Sequence, residues 1–232
     1  MITRATALGS VIGQANAKLS PTMNTTTKQF RDTLDREWAT YGVILKTDAL
    51  DRLCHYYDLL NQWNARVHLV APCSPSEFAT RHVLESLLLL KYLPEGVSLA
   101  DVGAGGGLPS VPCLIVRPDL RAFLIESSQK KVVFLREALK QAGASSNASV
   151  INERFENIVA PPVDFVTCRA LDRFEEMLAH LIEWTPAKAT LLLFGGEALE
   201  KQLKKLGLTT ESELMPHSDG RYLFVVNKHR EP

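Results

Sequence analysis

The chain carries no excess of charge. Its 26 basic and 26 acidic side chains cancel over 232 residues. That balance excludes a global pull toward nucleic acid or a membrane surface, so a polyanion could be met only by a local basic patch. There is no C-x-x-C pair, because Cys54, Cys73, Cys113 and Cys168 are scattered. A zinc ribbon and a disulfide framework are thereby excluded, and the thiols read as those of a reduced, cytoplasmic protein. The histidines at 55, 68, 82, 180, 217 and 229 show no metal-ligand spacing, so no metal is expected. Apolar runs are short. Leu87–Leu90 stops at Lys91, far from the length of a membrane span. Residues 1–29 lack acidic side chains and any continuous apolar stretch. They read as a disordered tail rather than a secretory signal. No His/Asp or Ser/His pairing suggests acid–base or nucleophilic catalysis.

What is present is enough for a packed core: 46% of residues are hydrophobic. Residues 30–94 carry helical signals. Leu50, Leu53, Tyr57, Leu60 and Trp63 recur at helical spacing, with Thr47 or Asp48 as the cap. Ser74-Pro-Ser-Glu77 is a capping box that launches a helix through Phe78, Val83, Leu84, Leu87 and Leu88. Pro94-Glu-Gly96 ends it.

From residue 95 the pattern alternates. Strands are expected at Ser98–Val102, Arg121–Glu126, Ala148–Asn152, Val163–Cys168, Thr190–Phe194 and Tyr222–Asn227. Helices are expected at Gln129–Ala142 and Ala198–Leu206, and over a segment with Phe174, Met177, Leu178, Leu181 and Ile182 inward. Alternation of this kind gives a mostly parallel α/β sheet covered on both faces. The last strand follows no long helix, which implies an antiparallel hairpin. The domain reading is a tail (1–29), a helical cap (30–94) and a Rossmann-like domain (95–232).

The densest signal is Asp101-Val-Gly103-Ala-Gly105-Gly-Gly107-Leu108-Pro109. Glycines here allow positive φ and a close ligand approach. The dinucleotide fingerprint G-x-G-x-x-G fails at its third glycine, which falls on Leu108. The order acidic-x-G-x-G-x-G instead resembles the opening motif of Rossmann-like S-adenosylmethionine (SAM) methyltransferases. Glu126 ends the next apolar run, where such folds bond ribose hydroxyls.

Further segments sharpen the likeness: Trp63-Asn64-Ala-Arg66-Val-His68-Leu69, Arg81-His82-Val-Leu-Glu85-Ser86, Glu126-Ser-Ser-Gln-Lys130-Lys131, Arg154-Phe155-Glu156, Cys168-Arg169-Ala170 and Arg221-Tyr222. In this order they resemble the bacterial glucose-inhibited division protein B family. Its members methylate N7 of a guanine in small-subunit (16S) ribosomal RNA, using SAM. The resemblance implies a cofactor site made of Asp101, Gly103, Gly105, Gly107, Leu108, Glu126, Phe155, Glu156 and Arg169. It implies RNA contacts from Arg66, Arg81, His82, Lys130, Lys131 and Arg136. The partner would be small-subunit ribosomal RNA or its particle, and the enzyme a cytoplasmic monomer. Guanine N7 carries a lone pair and no proton, so placement replaces acid–base catalysis. Arg169 is the residue best set to assist it.

Several positions depart from the family pattern. Gly195-Gly196 stands where the family has Lys-Gly, so that lysine is absent. His68 replaces an asparagine, Ser110 a glycine, and Phe155 an alanine. These departures leave open a small-molecule methyltransferase, or a SAM- or rRNA-binding factor without turnover.

Overall fold

The computed structural model describes residues 24–169 and 174–227. Residues 1–23 of the expected tail, Ala170 and the side chain of Phe174 lie outside the described residues. Helix α1 (Thr25–Glu37) begins within the segment expected as tail. The Asn24 side chain caps it by accepting from Thr27 N at 2.8 Å. Burial of Thr27, Phe30 and Leu34 gives those residues a reason to be ordered. Phe30 stacks on Tyr57 with ring centroids 4.4 Å apart and tilts against Phe78 at 5.9 Å. Three helices meet there.

Helix α2 (Thr47–Val67) is preceded by Lys46, which makes no side-chain cap. Thr47 and Asp48 are therefore its first residues rather than its cap, and Asp48 suits the positive end of the helix dipole. The helix ends at His68, whose φ of 52° is left-handed. Asn64 organises the exit: its Oδ1 accepts from Leu69 N (2.7 Å) and Val70 N (3.0 Å).

A β-carbon is strained at such a φ, and asparagine tolerates it best after glycine. Replacing His68 with asparagine is expected to stabilise the fold by about 0.5 kcal/mol. A thermal melt unchanged or lowered in His68→Asn would contradict this.

The next helical run, α3 (75–91), is irregular. Ser74 Oγ accepts from Glu77 N at 3.1 Å, as the capping box implies. The Glu77 carboxylate, however, turns to Arg81 at 2.6 Å. Phe78–Leu84 is wound as a π-helix and Leu88–Lys91 as a 3-10 helix. The expectation was a plain helix. The wide turn carries Arg81 and His82, and Glu85 follows directly after it.

The sheet contains β1 (Ser98–Val102), β2 (Arg121–Ile125), β3 (Ala148–Ile151), β4 (Phe165–Cys168), β5 (Thr190–Gly195), β6 (Thr210–Leu214) and β7 (Tyr222–Asn227). Their order is β3-β2-β1-β4-β5-β7-β6. The first five pair in parallel, while β7 runs antiparallel to both β5 and β6. The expected hairpin exists, and its first strand, β6, is one that the hydropathy pattern misses. Thr210–Leu214 is polar at all but Leu214 because it is an edge.

Helices α4 (Ser110–Val116), α5 (Gln129–Gln141), α6 (Phe174–Trp184) and α7 (Glu197–Lys205) complete the layers. Strand alternation sorts the two cores. On β5, Leu192 and Phe194 face α1–α5, while Leu191 and Leu193 face α6 and α7. Residues 30–94 thus share one core with a sheet face. The carboxyl ends of the parallel strands open onto one cavity beneath α3.

Candidate active site

The glycine turn leaves β1 with φ of 73° at Gly103, 51° at Gly105 and 82° at Gly107. Two consecutive donors, Gly103 N and Ala104 N, share the carbonyl of Ile125 at the end of β2, at 2.9 and 3.1 Å. From below, the buried Tyr56 hydroxyl donates to Gly106 O at 2.6 Å. Glu126 closes the turn. Its Oε2 accepts from Gly105 N at 3.0 Å and its Oε1 from Ser128 N at 2.7 Å. Each carboxylate oxygen thus keeps further acceptor capacity.

A cavity of about 620 Å³ lies over these strand ends, within the range that holds a small-molecule ligand. Gly103, Gly105, Leu108, Glu126, Phe155, Glu156 and Arg169 line it, as do Arg81, His82 and Lys131. Arg66, Lys130 and Arg136 are exposed but lie off its wall. A β-carbon on Gly105 would have only Gly103 O nearby, at 3.6 Å. Backbone, not side chain, therefore forms that part of the wall.

Four expectations need correction. Gly107 does not reach the cavity. A β-carbon there would stand 2.6 Å from Val111 Cγ2 and 3.3 Å from Leu135 Cδ2, so glycine is required by helix packing rather than by a ligand. Asp101 is fully buried beneath the turn and also off the wall. Among the described residues neither of its oxygens, nor the Ser110 hydroxyl, makes a hydrogen bond of good geometry, although Ser110 lies close to the carboxyl. Burial raises the Asp101 carboxyl to about 7, although the hydroxyl and N–H of Ser110 oppose the rise. Asp101 supports the loop from below.

His82 cannot supply a cation to RNA at neutral pH. Burial, reinforced by Arg169 and Arg81, pushes its imidazole down to about 4. Its ring packs on Phe78 at 5.1 Å.

Arg169 is expected in the cofactor site and as the residue that assists placement. Its terminal nitrogens are instead engaged by the π-turn. Nη1 donates to His82 O and Ser86 Oγ, both at 3.1 Å, and Nη2 to Arg81 O and to Glu85 Oε2, the latter at 3.4 Å. The guanidinium also lies over Phe194, 5.5 Å from the ring centroid. The wide turn explains this, since a π-helix leaves carbonyls available that an α-helix would use.

Asp101 gives a pH test. Its folded pKa lies above the ordinary value of 3.8, so the folded chain holds a proton that the unfolded chain releases. The associated stability is present below about pH 4 and is lost as pH rises toward 7. The loss is on the order of 4 kcal/mol when complete. His82 acts oppositely, losing stability as pH falls below its ordinary value toward 4. The readout is therefore the difference between wild type and Asp101→Asn in urea unfolding at pH 5 and pH 8. The variant is expected to gain relative stability at pH 8, and equal pH slopes would contradict the assignment.

The lining residues that sequence reasoning missed include Glu85, Phe194, Met215, Arg221 and Tyr222. Glu85 is 2% exposed. Its Oε1 accepts from Arg221 Nε at 3.0 Å and Nη2 at 2.8 Å, across 136 residues of chain. The Arg-His-x-x-Glu-Ser and Arg-Tyr segments were visible, but no spacing signal links them. At Gly195 a β-carbon would come within 2.5 Å of Leu199 Cδ2 and 2.8 Å of its Cβ. A lysine cannot enter here unless α7 moves.

The family model described as rRNA small subunit methyltransferase G, GidB, matches residues 49–227. The chain belongs to this family. A ribosomal RNA small subunit methyltransferase G from Neisseria gonorrhoeae is 38% identical over 158 residues, covering 68% of this chain and 72% of that one. One from Xanthomonas oryzae pv. oryzae is 38% identical over 185 residues, covering 76% and 85%. Among solved structures, a SAM dependent methyltransferase from Aquifex aeolicus superposes with a TM-score of 0.53 at 17% identity, covering 72% of this chain and 97% of that one. That likeness shows the fold.

Membership makes the chain a methyltransferase with SAM as its cofactor. The cavity fits that group. The glycine wall is free of side chains, Glu126 offers acceptors for hydroxyls, and buried Phe155 offers an apolar face. Among the described residues no group of three His, Cys, Asp or Glu could hold a metal ion. No described helix is long and apolar enough to cross a membrane.

Proposed function

We propose that this enzyme transfers a methyl group from SAM to N7 of a guanine in small-subunit ribosomal RNA, acting in the cytoplasm as a monomer. The observation that carries the reading is the cavity itself. One end is a carboxylate and a bare glycine wall over β1 and β2; the other, over β4, β5 and β7, has apolar surface beside Arg169, Arg221 and the carboxylate they hold, Glu85. Two different planar ligands can therefore lie across one sheet edge.

SAM supplies an electrophilic methyl group when bound. Glu126 would hold the ribose through its two oxygens, with Gly105 N and Ser128 N fixing the carboxylate's orientation. Gly103, Gly105 and Leu108 would bound the methionine end, and Phe155 and Glu156 the adenine. Because guanine N7 has no proton to lose, the residues orient and exclude water rather than exchange protons. Arg169 acts by holding the π-turn over the cavity. Arg66, Arg81, Lys130, Lys131 and Arg136 would meet phosphates of the RNA, a local patch on a chain without net charge. In this reading the helices before residue 95 form the cover and the remainder forms the catalytic domain.

Support comes from the family and from the fit of the residues. The test is methyl transfer from labelled SAM onto purified small subunits that lack the modification, followed by nucleoside analysis. The expected product is 7-methylguanosine. Transfer only to small metabolites, or tight SAM binding with no transfer to RNA, overturns the proposal.

A further inference from the structure

We infer that Glu85 selects the base, its carboxylate accepting from the N1–H and 2-amino edge of guanine so that adenine is rejected. The inference rests on the proposed reaction and goes beyond it to the residue that reads the substrate.

The need for such a residue follows from chemistry. Adenine and guanine both carry a lone pair at N7. The reacting atom therefore cannot distinguish them, and the choice must be made at another edge. With N7 turned toward the reacting carbon, the opposite edge of the base faces the protein. Along N1 and C2 guanine presents two donors, N1–H and the 2-amino group; adenine presents the N1 lone pair and a C2–H, with no donor. An arginine has no acceptor to offer the guanine donors, whereas a carboxylate has only acceptors.

The fold determines where that carboxylate must be. Among the described residues four glutamates line the cavity: Glu85, Glu126, Glu153 and Glu156. The last three follow β2 and β3. Glu85 is held by Arg169, which follows β4, and by Arg221, which precedes β7. In the order β2-β1-β4-β5-β7, β4 is about 10 Å from β2 and β7 is about 10 Å further. A cofactor whose ribose sits at Glu126 leaves the β4–β7 half to the base. There Phe194, Met215 and Tyr222 give apolar surface, and among the described residues Glu85 is the only carboxyl lining that half.

The pairing of Glu85 is asymmetric. Oε1 takes both near contacts from Arg221, while Oε2 takes one contact from Arg169 at 3.4 Å. An acceptor in a residue 2% exposed, on a cavity wall, is thus left under-used. A buried acceptor is ordinarily satisfied, so the spare capacity of this lining carboxylate is open to a ligand donor.

The test uses the full-length protein with S-adenosylhomocysteine bound. Binding of GMP, 1-methyl-GMP, IMP and AMP is measured by calorimetry, for wild type and for Glu85→Gln. Wild type is expected to prefer GMP over 1-methyl-GMP and AMP by about tenfold or more, with IMP between. In Glu85→Gln the preference should shrink to about threefold or less, since an amide oriented by Arg221 turns its NH2 toward the guanine donors. SAM affinity should stay within about twofold, because Glu85 is not on the cofactor side. Equal binding of GMP and 1-methyl-GMP by wild type, or no GMP preference at millimolar concentration, overturns the inference even if the variant fails to fold. So does a folded Glu85→Gln that keeps the preference. If wild type makes 7-methylguanosine in small subunits yet fails these tests, the inference alone is wrong. If it makes none, the proposed function is wrong as well.

Discussion

Glu126→Ala is expected to weaken SAM binding by about a hundredfold, equivalent to the loss of two charge-assisted hydrogen bonds to hydroxyls. The same change should lower stability by about 3 kcal/mol, because Gly105 N and Ser128 N lose their acceptor. Two effects are thus joined in one side chain, and a second variant separates them. Glu126→Gln keeps the shape but has one oxygen in place of two. It must leave either Gly105 N or Ser128 N facing an NH2 group. It should recover part of the stability and little of the affinity. Calorimetry with SAM beside urea unfolding measures both. Unchanged affinity in Glu126→Ala would remove Glu126 from the cofactor site.

The second large effect is at Arg169. Its terminal nitrogens bind two carbonyls, a hydroxyl and a carboxylate, all on α3. Arg169→Met fills much of the same space but leaves those groups without their donor and Glu85 with one arginine fewer. Breaking a buried charged network in this way costs about 3–5 kcal/mol. For a chain of this size the melting temperature should fall by about 10 °C. Arg169→Lys should rescue little, since one ammonium cannot span acceptors arranged for a planar fork. Methyl transfer should fall in both variants, because the π-turn carrying Arg81, His82 and Glu85 loses its anchor. A melt within 2 °C (roughly 1 kcal/mol) of wild type in Arg169→Met would show that α3 holds its shape unaided.

The legible parts of this molecule are the local ones. Strand β1 matches its expected bounds, Ser98–Val102, because five consecutive residues pack within one sheet. The helix at residues 129–141 follows from apolar spacing on one face. The bend at Gly103 and Gly105 follows from glycine's own φ range. Strand β6 was missed because an edge strand buries too little to show a pattern. The π-turn was missed because no spacing rule marks where a helix widens.

Within the site, the sequence by itself determined the end proposed for the cofactor: a glycine turn after β1 and Glu126 after β2, each set by neighbours a few residues away. Even there, only packing decided that Gly107 serves Val111 and Leu135 and that Asp101 lies under the floor. The end proposed for the substrate belongs to the tertiary structure. Glu85, Arg169 and Arg221 come from α3, the end of β4 and the start of β7, and they meet only because α3 lies across the strand ends. A contact between residues 136 apart in the chain leaves no periodicity to read; it exists once a buried charge must find its partner.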